Sequence, residues 1–245
     1  VVTGKQLYQR NHAQSGDALA LLQSLPDCCT PVVFFDPQHR AVLDKLKFGN
    51  EGARQKGRAM LPAMTDSYID ACCRESVRVL WPSGYLMRWI DTFGLCTGQH
   101  LRIADETCQC VDLIAWDNLR QGMGKRSRRR GDYLLVLQAG GSRRSIARNT
   151  RTSSRSRLIR RLIGAVTNPG DLVVDPAAGS FVVMRAANQL GREFIGCDKA
   201  YDVAGAAAHT AGFSVEGSDG VSMGAHGSAS GPLTRVLDLF SAQGG

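Results

Sequence analysis

Three aspartates stand at the ends of apolar runs: Asp36 in VVFFDPQHR (32–40), Asp175 in DLVVDPAAGS (171–180) and Asp198 in REFIGCDKA (192–200). Four apolar residues, Val32 to Phe35, read as a short buried strand that delivers Asp36 at its carboxyl end. In open α/β sheets ligands bind at that end. Turn chemistry explains Asp36-Pro37 equally well, because Asp and Pro are ordinary turn residues. Asp175 and Asp198 make a more specific pattern, in which a strand ends on an acid, a Gly-containing turn opens a helix, and a second strand ends on an acid 23 positions later. That is the layout of a nucleoside-binding βαβ unit. The turn lets a ligand approach the backbone and the helix amino terminus, and the second acid accepts hydrogen bonds from ribose hydroxyls. The G-x-G-x-x-G pattern is absent, which disfavours a nicotinamide cofactor, and an acid suits a cationic ligand such as S-adenosylmethionine better than a pyrophosphate. A strand-turn-helix with no ligand is the structural alternative.

The elements that must position these acids alternate along the chain. GDALALLQSL (16–25) has helical apolar spacing and precedes the strand at 32–35. Thr65-Asp66 can cap a helix through about Leu80, with Ile69, Cys72, Cys73, Val77 and Leu80 on one face and WPSG (81–84) as its stop. Strands are predicted at 85–90, 111–116, 133–137, 172–174 and 193–197, and helices at 158–166 and 179–190, with NPGD (168–171) as a turn. Such alternation implies a mostly parallel sheet covered on both faces. Residues 139–157 are rich in Arg and Ser and read as exposed or disordered. Residues 203–245 read as a low-complexity flexible tail in which only LTRVLDLF (233–240) resembles a helix.

Composition narrows the class. A chain of 245 residues with 43% apolar content can bury one substantial core, and no run approaches the roughly 18 apolar residues of a membrane helix. The first residues do not resemble a secretory signal. The eight cysteines form no C-x-x-C pair and have no His spacing suited to zinc, so they read as reduced cytosolic thiols and no metal site is expected. Between Arg120 and Arg161 stand fourteen Lys and Arg against one acid, Asp132, in a chain of net charge +8. The basicity is therefore local, and the remainder is acidic. A one-sided run of this kind favours a polyanion such as nucleic acid, the alternative being a flexible arginine-rich segment without a specific ligand.

VVDPAAGSFVVMRAANQLGREFIGCD (173–198) resembles the cofactor-binding motif of amino-directed DNA methyltransferases, commonly DPFxGSGT followed by an LGRxFIGxE-like stretch. FFDPQH (34–39) sits where those enzymes carry their catalytic DPPY. RNHAQSGDALALLQSLPD (10–27), RVLWPSGYLMRWI (78–90) and DLIAWDNLRQGMGKRSRRRGDYLLVL (112–137) are similar to the segments that flank and follow that motif. The resemblance covers roughly residues 8–202, and the catalytic strand precedes the cofactor strand, as in the circularly permuted β group. Such an order is harmless, because a sheet depends on which strands are neighbours and not on where the chain is cut. The chain departs from the pattern where Gln38 replaces the second proline, His39 the aromatic residue, Ser180-Phe181-Val182 a Ser-Gly-Thr, and TRTSSRSR (150–157) an HPxxKP stretch.

The resemblance implies a Rossmann-like, S-adenosylmethionine-dependent methyltransferase fold over residues 1–202, with a mostly parallel sheet and helices on both faces. It places Asp36, Pro37, Gln38 and His39 at the catalytic position. Asp175, Pro176, Ala177, Gly179, Ser180 and Asp198 would bind the cofactor, with Asp17 a further candidate. Lys125, Arg126, Arg128, Arg129 and Arg130 would contact nucleic acid. The exocyclic amine of adenine or cytosine is a poor nucleophile because its lone pair is delocalised into the ring. The Asp36 carboxylate and the Pro37 carbonyl would accept its two N–H bonds and free the lone pair for in-line attack on the sulfonium methyl. His39 would stack on the extruded base. The expected activity is methylation of double-stranded DNA, adenine N6 favoured over cytosine N4, by a cytoplasmic protein with no membrane partner. A homodimer and a cognate restriction enzyme are candidate partners. The alternatives are a catalytically impaired DNA-binding relative and a methyltransferase acting on RNA or protein amides.

Overall fold

The structure is a computed structural model, and it describes residues 8–37, 64–99, 108–117, 131–140 and 154–201. Its centre is β1 (Thr30–Phe35), in which every residue is buried. The run is continuously apolar because both faces of the strand are covered. Val33 and Phe35 pack with Ala18, Leu21 and Leu22 of α1 (Ala18–Ser24) and with Ile69, Cys72 and Cys73 of α2 (Asp66–Val79). Val32 and Phe34 face the opposite way, toward Leu158, Leu162 and Ile163 of α4 (Arg155–Val166) and Val183 and Ala187 of α5 (Val182–Gln189).

The other strands are β2 (Leu80–Ile90), β3 (Cys108–Asp117), β4 (Gly131–Ala139), β5 (Leu172–Asp175) and β6 (Glu193–Gly196), and a short helix α3 (Thr92–Cys96) follows β2. They form one six-stranded sheet of order β3-β4-β2-β1-β5-β6. Strands β2, β1, β5 and β6 are mutually parallel, and β4 pairs antiparallel to both β2 and β3. The mostly parallel sheet with helices on both faces is thus present. From β1 the chain crosses to β2 on one side, and from β5 to β6 on the other, so β1 and β5 flank the point where the winding reverses. Open α/β sheets place their ligand crevice at the carboxyl ends of such a pair.

Three of the differences from the sequence expectations bear on the site. WPSG does not separate a helix from a strand, because α2 ends at Val79 and β2 begins at once with Leu80. The extra residues form a bulge: Thr30 pairs with Leu80 but Val32 with Tyr85, which is where a strand tolerates Pro82. The buried face of α2 accordingly runs through Ile69, Cys72, Cys73, Ser76 and Val79, while Leu80 belongs to the sheet. Helix α4 starts at Arg155, inside the Arg/Ser-rich stretch, because Ser154 caps it by accepting from Arg157 N–H. Helix α5 starts only at Val182, since Gly179 and Phe181 both take positive φ and form the turn before it.

Candidate active site and cofactor cleft

The carboxyl ends of β1, β5 and β6 bring the three aspartates within electrostatic reach of one another. Asp36 follows β1 and is exposed, while Pro37 beside it is buried. Asp175 is the last residue of β5 and is only 4% exposed, its Oδ1 accepting from Ala177 N–H at 3.2 Å. Burial pushes the Asp175 carboxyl up to about 8. The Ala177 N–H and Arg155 oppose that rise, and the charges of Asp36 and Asp198 add to it. A cation bound beside this buried carboxyl group would favour its ionised form.

Asp198 lies just beyond β6. Its Oδ2 accepts from Gly179 N–H at 2.8 Å and its Oδ1 from Ala200 N–H at 2.9 Å. Gly179 has φ +52° and an exposed backbone, so the turn needs glycine for its conformation and also leaves room for a ligand. Ser180 is exposed beside it, Pro176 is buried, and Ala177 is half-buried. The Phe181 ring points away from this opening into the core, edge-on to Phe194 and Tyr201, with centroids 6.3 and 5.1 Å away.

Asp17 comes to the same cleft by a separate route. Ser15 bridges to Asp198 in parallel, which extends the sheet past β6 and brings residues 14–17 alongside the turn. Gly16 permits this approach, because a Cβ there would lie 3.0 Å from Cys197 Cβ and 2.6 Å from Tyr8. Asp17 caps α1, its Oδ1 accepting from Leu19 and Ala20 N–H, both at 3.1 Å, and Tyr68 accepts from the same Leu19 N–H at 3.2 Å. Capping gives Asp17 a structural task irrespective of any ligand.

Two residues that the sequence reading did not select stand near Asp36, and one of them, Arg155, pairs with it. Arg155, the first residue of α4, places Nη2 2.5 Å from Asp36 Oδ2, and its guanidinium lies 4.2 Å from the Trp89 ring centroid. Trp89 sits beside Asp36 because Phe35 pairs with Arg88 across β1 and β2. Trp116 of β3 packs against it edge-on, with ring centroids 5.8 Å apart. Neither contact is legible in sequence, since 119 positions separate Asp36 from Arg155. Gln38, His39, Lys125, Arg126, Arg128, Arg129 and Arg130 lie outside the described residues, as does the stretch 203–245.

Comparisons with known proteins show the family. A family model described as DNA methylase, of the N6/N4 type, matches residues 151–207. Type II methyltransferase M.HhaII of Haemophilus parahaemolyticus is 38% identical over 206 residues, spanning 77% of this chain and 90% of that protein. The chain belongs to the N6/N4 DNA methyltransferase family. Among solved structures, the methyltransferase is similar to PvuII DNA methyltransferase (cytosine-N4-specific), with a TM-score of 0.58 and 16% identity over 80% of this chain and 85% of that one. It is also similar to TTHA0409 of Thermus thermophilus in complex with S-adenosyl-L-methionine, with a TM-score of 0.52 and 20% identity over 76% and 88% of the two chains. S-adenosylmethionine is the cofactor of the family. The residues of this methyltransferase suit that group: a buried acid at the end of β5 matches a cationic amino-acid moiety, and an acid beyond β6 beside an open glycine turn matches a ribose.

Proposed function

We propose that this methyltransferase moves a methyl group from S-adenosylmethionine to the exocyclic amine of a base extruded from double-stranded DNA, adenine N6 favoured over cytosine N4. The observation that carries the reading is the position of Asp36 at the carboxyl end of β1, one strand from the β5 turn across the switch point. The bound cofactor would supply an electrophilic sulfonium methyl. Asp36 and the Pro37 carbonyl would hold the two amine N–H bonds and strip the nitrogen lone pair of its conjugation with the ring. Asp198 would hold the ribose, Asp175 would face the amino-acid end, and Asp17 would line the same cleft. Pro176, Ala177, Gly179 and Ser180 would form the backbone cradle between them. Gln38 and His39 would complete the base pocket, and the basic run at 125–130 would contact phosphates. The preference for adenine rests on the Asp at the head of the DPQH stretch, which is more frequent in adenine enzymes. A cytoplasmic setting, a homodimer and a cognate restriction enzyme accompany the reading through the same resemblance.

Single-turnover transfer of labelled methyl from saturating cofactor to DNA tests the proposal. DNA should be labelled, nucleoside digestion should yield N6-methyladenine, and Asp36→Ala should slow transfer by about 10²–10³ while leaving DNA and cofactor affinity largely intact. Label in N4-methylcytosine would correct the target base. Label appearing only in RNA or protein pools, or full activity in Asp36→Ala, would overturn the assignment.

A further inference from the structure

The contact between Arg155, Asp36 and Trp89 has the chemistry of a bound base. A guanidinium is planar and carries N–H donors at its rim, as an amino-substituted purine or pyrimidine does. Here one such N–H reaches the Asp36 carboxylate at 2.5 Å while the group lies over the Trp89 ring, 4.2 Å from its centroid. Trp89 is 4% exposed, and the indole of Trp116 lies edge-on to it at 5.8 Å. The Arg155 side chain itself is 36% exposed and Asp36 44%, so the pair lies at the surface end of the strands and not within the core.

We propose that the face of Trp89 is a stacking platform for the extruded base and that Arg155 occupies the place of the base until DNA enters. The inference rests on the base-directed reading above and adds to it a specific platform and a specific occupant. Three observations support it together. The acceptor for the amine and the aromatic face are neighbours on adjacent strands, fixed by the Phe35–Arg88 pairing. The group that now satisfies both is rooted on the first residue of a helix, where one side chain can swing aside without moving the helix. One contact that holds it is a half-exposed ion pair, a modest kind of interaction, and another is a cation over an aromatic ring, which a stacked base would replace with a larger contact. Such a plug yields to a ligand that offers the same hydrogen bond and a larger stacking area.

The test requires no knowledge of a recognition sequence. The full chain, saturated with S-adenosylhomocysteine, is titrated with 2′-deoxyadenosine and 2′-deoxycytidine, and the indole N–H resonances of the ¹⁵N-labelled protein report binding. Arg155→Met keeps the aliphatic stem and removes the charge and the donors. It should bind one of the nucleosides about fivefold to tenfold more tightly than the unmutated protein, with the largest shifts at Trp89. Adding Trp89→Phe to Arg155→Met keeps an aromatic ring in the core but shrinks the platform, and should forfeit about half of that gain. Unchanged or weaker nucleoside binding in folded Arg155→Met, or a full gain that survives Trp89→Phe, would overturn the inference. Because the readout is nucleoside binding and not methyl transfer, a chain that proves inactive on DNA can still satisfy this test, and an active one can still fail it.

Discussion

The carboxylate of Asp198 accepts a hydrogen bond from the backbone N–H of Gly179 at 2.8 Å, tying the acid beyond β6 to the turn beyond β5. A second N–H, from Ala200, binds the other carboxylate oxygen at 2.9 Å. Asp198 therefore organises the turn, and in the proposed function it also meets the ribose. Asp198→Ala should weaken S-adenosylmethionine binding by roughly 1–3 kcal/mol, as expected for lost charge-assisted hydrogen bonds. Asp198→Asn, which can still accept from Gly179, should lose less. Calorimetry on the folded variants checks both, and equal affinity in Asp198→Ala and the unmutated protein would remove Asp198 from the cofactor site.

Asp175 should make stability depend on pH. Its carboxyl is raised from an ordinary value of 3.8 to about 8 in the folded chain, principally by burial. Between those values the folded state keeps a proton that the unfolded state has lost, so stability is full below about pH 4 and declines as pH rises toward about 8. The contribution to the slope is at most about 1.4 kcal/mol per pH unit, the value for one proton. Asp175→Asn cannot titrate, and its Oδ1 can still accept from Ala177. Urea unfolding at pH 5 and pH 7.5 should show the variant gaining on the unmutated protein at the higher pH. A parallel pH dependence for the two proteins would contradict the buried, proton-holding state.

Phe181 combines a cost and a benefit in one residue. Its φ of +56° lies in the left-handed region, which costs a residue with a Cβ roughly 1–2 kcal/mol. Its ring is 3% exposed and packs on Phe194 and Tyr201. Removing a buried Phe ring costs about 3–5 kcal/mol, so packing outweighs strain. Phe181→Gly should destabilise the fold by about 2 kcal/mol or more in denaturant unfolding, even though glycine adopts this φ without strain. A stabilised Phe181→Gly would mean that the strain dominates.

The basic run can be tested without structural detail. If Lys125, Arg126 and Arg128 to Arg130 neutralise phosphates, each contact contributes about 0.9 to the slope of log affinity against log salt on duplex DNA. Replacing three of them with glutamine should flatten that slope by about 2–3. The same slope before and after replacement would place these residues away from the DNA and leave a flexible basic segment.

The sequence by itself determined the strands and the acids that end them. Val32 to Phe35 is apolar at every position because β1 is buried on both faces, and that burial left the run readable without knowledge of its neighbours. The turn-helix-strand from Asp175 to Asp198 was equally legible, being local in the chain. The extent of β2 was not, because WPSG has the composition of a turn and only the register against Thr30 and Val32 shows it to be a bulge. Nor could local sequence foretell where Phe181 would point, since that direction follows from its backbone conformation and from the pocket made by Phe194 and Tyr201. The meeting of Arg155 with Asp36 and Trp89 depended wholly on tertiary structure. Strand pairing set Trp89 beside Asp36, and the docking of α4 on the sheet carried a residue from an Arg/Ser-rich stretch, with no apolar periodicity to mark it, across 119 positions to both of them.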